Sequence, residues 1–186
     1  MKAYFSIHKW VKNEERGDKM AVWFTSDLHL CHKNIIDYCN RPFSSVEEMN
    51  EILVQNWNKV IAPNDQVFHL GDFCLGSKEQ FETFSKALNG HKTFIAGNHD
   101  RLSKSFVLDN GWEVFSKKPI LKRFRCKNFI LMHHPREVEF NQICLYGHTH
   151  DKTAELQCRS LCVCVEQTNY FPISLDKVLE RVDLSD

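Results

Sequence analysis

Five short apolar runs in this chain each end in Asp, Asn or His. Ala21-Val22-Trp23-Phe24-Thr25-Ser26 leads into Asp27-Leu28-His29, and Val67-Phe68-His69-Leu70 into Gly71-Asp72. Lys92-Thr93-Phe94-Ile95-Ala96 leads into Gly97-Asn98-His99-Asp100. Asn128-Phe129-Ile130-Leu131-Met132 leads into His133-His134, and Ile143-Cys144-Leu145-Tyr146 into Gly147-His148-Thr149-His150. Short apolar runs bounded by glycine and polar residues read as buried strands. A side chain at a strand end is held by a rigid sheet, while the following loop is free to vary. Five such endings predict a sheet structure whose strand ends converge on one site, with Asp72 at its centre. Gly71 lets the backbone bend sharply beside that carboxylate.

The intervening stretches supply helices. Ser45 with Glu48 three residues on has the form of a capping box, and Val46, Met49, Ile52, Leu53, Trp57 and Val60 follow at helical spacing. Phe81, Phe84 and Leu88 repeat that spacing before Asn89-Gly90, and Phe106-Val107 predicts a short helix stopped at Asn110-Gly111. Short strands are predicted between Trp112 and Phe124, broken at Pro119, then a longer strand over 154–165 and a last helix capped by Ser174. Helix and strand alternate early and strands dominate later. The expected fold is α/β, with two packed mixed β-sheets flanked by helices. Residues 20–186 read as a single domain, and 1–19 as an N-terminal extension with weak periodicity.

Composition narrows the function classes. Lys plus Arg equals Asp plus Glu at 24 each, which argues against general nucleic-acid binding by phosphate neutralisation. There is no apolar run long enough to span a bilayer and no export signal near the start, so a cytoplasmic protein without a membrane is expected. Eight cysteines without a CxxC pair predict reduced thiols packed as small hydrophobes, with no disulfide framework and no zinc ribbon.

The strand ends offer two carboxylates (Asp27, Asp72), an amide (Asn98) and four imidazoles (His29, His133, His148, His150). This mixed oxygen and nitrogen set suits Mn, Fe, Zn or Ni better than Ca or Mg. Seven donors exceed what one ion with open positions needs and fit two ions sharing a carboxylate bridge. His134 beside His133 reads as exposed or as an outer partner, and His69 as a core histidine.

The motifs DxH, GD, GNH[DE], H and GHxH occur in order between about Ala21 and Val165, each after an apolar run. Together they resemble the calcineurin-like metallophosphoesterase family. The stretch from Asp27 to Phe43 resembles a small bacterial and phage-type subgroup. The resemblance implies a four-layer αββα sandwich and two divalent transition-metal ions, manganese favoured. Asp27, His29 and His150 would hold one ion, Asn98, His133 and His148 the other, and Asp72 would bridge. His99 would protonate the leaving oxygen or stabilise the phosphoryl charge, with Asp100 orienting its ring. His32, Asn34 and Arg41 are candidates for substrate phosphate, Arg41 because its fork matches phosphate oxygens. The alternative for Arg41-Pro42-Phe43 is a loop-shaping role. Where many relatives carry a further polar residue in GDxxD or GDxxS, this chain has Leu75, and Cys31 stands where the subgroup has glycine.

The function implied is hydrolysis of a small phosphoester or nucleotide by hydroxide generated on the metals, a phosphodiester favoured over a monoester because few cationic residues accompany the ligands. A nucleotide pyrophosphohydrolase is the alternative enzyme. A non-catalytic protein-binding scaffold, like the retromer subunit of this fold, is the alternative of another class, and the complete ligand set with His99 weighs against it.

Overall fold

A computed structural model describes residues 20–183. The extension predicted at 1–19 lies outside the described residues. In chain order the elements are β1 (Val22–Thr25), α1 (Ile35–Tyr38), α2 (Val46–Val60), β2 (Gln66–His69), α3 (Lys78–Ala87), β3 (His91–Ile95) and α4 (Lys104–Asp109). There follow β4 (Val114–Ser116), β5 (Ile120–Phe124), β6 (Lys127–Met132), β7 (Gln142–Tyr146), β8 (Ser160–Cys162), β9 (Ile173–Ser174) and α5 (Leu175–Asp183). All five apolar runs contain strands.

One sheet has the order β4-β3-β2-β1-β9, parallel except for β9; the other has β5-β6-β7-β8, parallel except for β5. Alternation along the strands decides what each face buries. Phe24, Phe68 and Ile95 point inward against Phe129, Leu131, Ile143 and Leu145, and α5 adds Val178 and Val182 to this inter-sheet core. Trp23, Val67 and Phe94 point the other way, onto Met49, Leu53 and Trp57 of α2 and Phe81 of α3. The outer face of the second sheet packs Tyr146 and Cys144 beneath Val138, Ala154 and Leu156. The fold is thus two mixed sheets flanked by helices, with loop residues as the outermost cover over the second sheet.

Two local expectations need correction. Ser45 caps α2 through its Oγ, which accepts from Glu48 N at 3.1 Å, but Glu48 does not close a capping box onto Ser45. Its carboxylate accepts instead from both N and Oγ of Ser44 at 2.6 and 2.5 Å, because Ser44 offers two donors. The full capping box is at Ser77 and Gln80. The long strand expected over 154–165 shrinks to Ser160–Cys162. Residues 154–158 cross the sheet surface, with Ala154 N donating to the Tyr146 hydroxyl and Gln157 N to Glu137 Oε1, and the ladder to β7 begins only at Arg159 O, which accepts from Cys144 N.

The two sheets join at the ends that matter. The parallel β1–β2 ladder continues past both strands: Asp27 N donates to Gly71 O, and His29 N to Asp72 O. Ser26 bridges to Cys164 just beyond β8, with Ser26 N donating to Val163 O and Val165 N to Ser26 O. The carboxyl ends of β1, β2 and β3 therefore face those of β6 and β7.

Candidate metal centre

Backbone conformation marks the strand ends before any side chain is considered. Asp27, His29, Asp72, His148 and His150 all have positive φ, at 58°, 50°, 57°, 71° and 53°. For a non-glycine residue this region costs on the order of 1–3 kcal/mol, and such strain concentrates at functional sites. Gly71 (φ +101°) makes the turn into Asp72. Gly97 allows a backbone-to-carboxylate approach, since a Cβ there would lie 2.2 Å from Asp72 Oδ1.

The side chains gather around Asp72. Its Oδ1 accepts from His99 N at 2.9 Å. Its Oδ2 lies 3.4 Å from His133 Nε2, 3.6 Å from His29 Nε2 and 4.0 Å from His99 Nε2. On one side, Asp27 Oδ1 stands 3.7 Å from His29 Nε2 and 3.8 Å from His150 Nε2. On the other, Asn98 Oδ1 lies 2.9 Å from His133 Nε2 and 3.0 Å from His148 Nδ1. All seven candidate ligands from the sequence are brought together. Ligand atoms of Asp27, His29 and His150 lie within 4.8 Å of one another, as do those of Asp27, Asp72 and His133. His134, exposed, joins His133 and His148 in a third such group, its ring 4.1 Å from that of His148.

The similarities of the chain agree with this geometry. Residues 20–155 match the calcineurin-like phosphoesterase family. The chain belongs to that family. It is 35% identical to an uncharacterised protein of Methanocaldococcus jannaschii over 175 residues, covering 87% of this chain and 91% of that one. It is 29% identical over 165 residues to the gene 66 protein of Mycobacterium phage D29, covering 70% and 79% of the two chains. A protein of unknown function from Aquifex aeolicus has the same fold, with a TM-score of 0.72 at 24% identity over 88% of this chain and all of that one. As a calcineurin-like phosphoesterase the chain is a hydrolase acting on ester bonds.

The family typically binds divalent metals, and the residues present fit them. Buried polar atoms normally have hydrogen-bond partners. Here Asp27 Oδ1 and both ring nitrogens of His29 are buried with none among the described residues. His133 is oriented for a ligand role: its Nδ1 donates to Leu70 O at 2.8 Å, which turns Nε2 toward Asn98 and Asp72. Cys164 Sγ donates to Asp27 Oδ2 at 3.2 Å, and His148 N to the same oxygen at 2.9 Å.

The electrostatics favour charged carboxylates. Burial opposes ionisation of Asp27, yet the imidazoles of His29, His133 and His150 hold its carboxyl well below the usual range. Burial likewise opposes ionisation of Asp72, and His133 with the His99 N–H holds it low. Burial disfavours the His133 imidazolium, but Asp72 and Asp27 outweigh it and raise the group to about 9. Such a proton is what an incoming cation displaces.

Of the other sequence candidates, His99 and His32 line a cleft of about 500 Å³ beside His29 and His150, with Tyr38 and Lys152 at its edges. His99 is half exposed. Three expectations change. Asp100 does not orient the His99 ring: its Oδ2 accepts from Asp72 N at 2.6 Å and Gly97 N at 2.8 Å, and its Oδ1 from Phe73 N at 3.2 Å. It is buried beneath the loops and shapes both. Arg41 does not face substrate: it is buried, donating to Leu28 O at 2.8 Å, Asp27 O at 2.7 Å and Glu166 Oε1. Asn34 is exposed at the start of α1 and is not among the residues that line the cleft. His69 is core, fully buried among Trp57, Phe73, Phe94 and Trp112.

The sequence reading missed Glu166. Its Oε1 lies 3.0 Å from His150 Nδ1 and accepts from Arg41. No motif contains it. It supplies a carboxylate behind the ligands from another part of the chain, although Leu75 provides none after Asp72.

Proposed function

We propose that this chain is a dinuclear metal-dependent phosphodiesterase acting on a small phosphodiester or nucleotide, with manganese the favoured metal. Asp27, His29 and His150 would hold one cation, Asn98, His133 and His148 the other, and Asp72 would serve both. The observation that carries this reading is the position of Asp72 Oδ2, 3.6 Å from His29 Nε2 of one set and 3.4 Å from His133 Nε2 of the other. A carboxylate between two ligand sets reduces the repulsion of two close cations. Two cations bound there would supply a hydroxide nucleophile near neutral pH and clamp the attacking and leaving oxygens of an in-line displacement.

The chain's own residues do the rest. His99 reaches into the cleft from the loop after β3, anchored by its N–H to Asp72 Oδ1, and donates a proton to the leaving oxygen. Asp100 holds the Asp72 and Gly97 amides, which keeps that loop and the central carboxylate in register. The charge of the cleft favours a diester. With Arg41 buried, Lys152 is the single Lys or Arg lining it among the described residues, little to match a dianionic monoester.

The test is turnover by the metal-stripped chain reloaded with Mn, Fe, Zn, Ni or Mg. Bis-p-nitrophenyl phosphate, cyclic nucleotides, phosphomonoesters and dinucleoside polyphosphates serve as substrates. Metal-dependent turnover is expected, with diesters at least about tenfold ahead of monoesters in kcat/KM, about 1.4 kcal/mol in transition-state stabilisation. Faster monoester or pyrophosphate hydrolysis would overturn the substrate assignment, and turnover that survives chelation would overturn the metal mechanism.

A further inference from the structure

Arg41 and Glu166 form an ion pair at the back of the site. Their side chains are 0% and 5% exposed. Arg41 Nε and Nη2 both donate to Glu166 Oε1, at 3.0 and 2.7 Å. Two further guanidinium donors hold the backbone that carries two candidate ligands, Nη2 on Asp27 O and Nη1 on Leu28 O, and Nη1 also donates to Met49 Sδ at 3.4 Å. On the far side, the same Glu166 Oε1 lies 3.0 Å from His150 Nδ1, and Gln167 Nε2 donates to His150 O at 3.0 Å. One buried pair therefore links the Asp27–His29 loop to the His150 loop.

The hydrogen in the Glu166–His150 contact can be assigned. Arginine does not lose its proton in a protein, so Glu166 beside it stays a carboxylate that only accepts. His150 Nδ1 must then carry a hydrogen, which leaves Nε2 as the nitrogen a cation could take. That nitrogen faces Asp27 Oδ1 at 3.8 Å, the side on which a cation would sit. Cys39, His150 and Glu166 also have ligand atoms close enough for a cation. The Arg41 guanidinium already supplies a positive charge at Glu166 Oε1, the oxygen that also meets His150 Nδ1.

We infer that Glu166, fixed by Arg41, is the positioning residue of the first cation site, holding His150 in the tautomer and orientation in which Nε2 can ligate. The inference rests on the two-cation reading above and goes beyond it by placing a carboxylate outside every motif behind one ion only. Partners of this kind typically change metal affinity by about 10- to 100-fold.

The experiment is calorimetric titration of Mn²⁺ into the metal-stripped full chain, together with imidazole ¹⁵N–¹H correlation spectra of His150 in the metal-free state. Wild type is expected to take two Mn²⁺ and to show the hydrogen on His150 Nδ1. Glu166→Ala should weaken one Mn²⁺ step by about 10- to 100-fold, leave the other within about threefold, and move His150 to a tautomer mixture. Glu166→Gln can place its amide oxygen where Oε1 stands, so it should keep the Nδ1 hydrogen and lose less affinity than alanine. If alanine beside a buried arginine prevents folding, the double variant Arg41→Met/Glu166→Met removes both charges, which buried pairs tolerate, and should give the same two readouts as alanine. Unchanged tautomer and affinity in the alanine or double variant would overturn the inference. So would equal weakening of both steps, which marks a general structural role. A wild type that takes fewer than two Mn²⁺ would instead contradict the two-cation reading, and the tautomer comparison would still decide the role of Glu166.

Discussion

Replacing Gly97 with alanine should disable the site by displacing Asp72. An added Cβ would stand 2.2 Å from Asp72 Oδ1, 2.7 Å from Asp72 N and 2.8 Å from Asp72 Cγ. An ordinary carbon–oxygen contact is about 3.5 Å, so the overlap exceeds roughly 1 Å. The carboxylate has no simple escape. Its Oδ1 is held by His99 N, its Oδ2 sits between His29 and His133, and its backbone N is bound to Asp100. Overpacking of this kind costs about 1–3 kcal/mol. In a domain of this size that lowers the melting temperature by about 2–12 °C. A 1 Å displacement at a reacting centre can cost about 100-fold in rate. The loss of turnover in Gly97→Ala should therefore exceed what its stability loss explains. The assay pairs calorimetric melting of the metal-free chain with Mn²⁺-dependent hydrolysis of bis-p-nitrophenyl phosphate well below the melting temperature. Wild-type turnover in a folded Gly97→Ala protein would refute the close approach of these two strand ends.

Other perturbations separate roles within the site. His99→Ala should keep both metals, measured by elemental analysis, and lower turnover by about 10²–10⁴-fold. That loss should shrink for nitrophenolate leaving groups, and an equal loss for poor and good leaving groups would remove the acid role. Asp100→Ala strips the acceptor from three backbone N–H groups and should cost about 3 kcal/mol or more in chemical denaturation; a loss confined to activity would restore a role at the His99 ring. Burial depresses His69 from 6.5 to about 3, so the fold keeps its ring neutral. That contribution to stability is complete above pH 6.5 and fades as pH falls toward 3, by about 3 kcal/mol at pH 4. The stability gap between His69→Phe and wild type should therefore narrow in acid, and a gap constant from pH 7 to 4 would contradict it.

Most of the site was legible because its residues mark strand ends. Asp27, Asp72, Asn98, His133 and His148 each follow an apolar run directly, so periodicity and chemistry point to the same positions. The supporting residues were not, because hydrogen-bonding capacity does not reveal its partner. Arg41 suits a phosphate by its fork, and that fork is instead filled by two carbonyls and a carboxylate. Glu166 lies 125 residues from Arg41, in a stretch with no motif. Asp100 follows His99 in sequence, yet its carboxylate turns under the loop toward backbone amides. The segment 154–158 carries partial alternation but lies before the ladder, because β7 pairs with Ser160–Cys162 beyond it and Cys144 N reaches back only to Arg159 O.

The central claim is that two cations share Asp72. Anomalous diffraction from crystals soaked in Mn²⁺ tests it most directly. The account predicts two strong peaks flanking the Asp72 carboxylate, about 3.5–4 Å apart, one against Asp27, His29 and His150 and the other against Asn98, His133 and His148. A single peak, or two peaks that do not share Asp72, would contradict it.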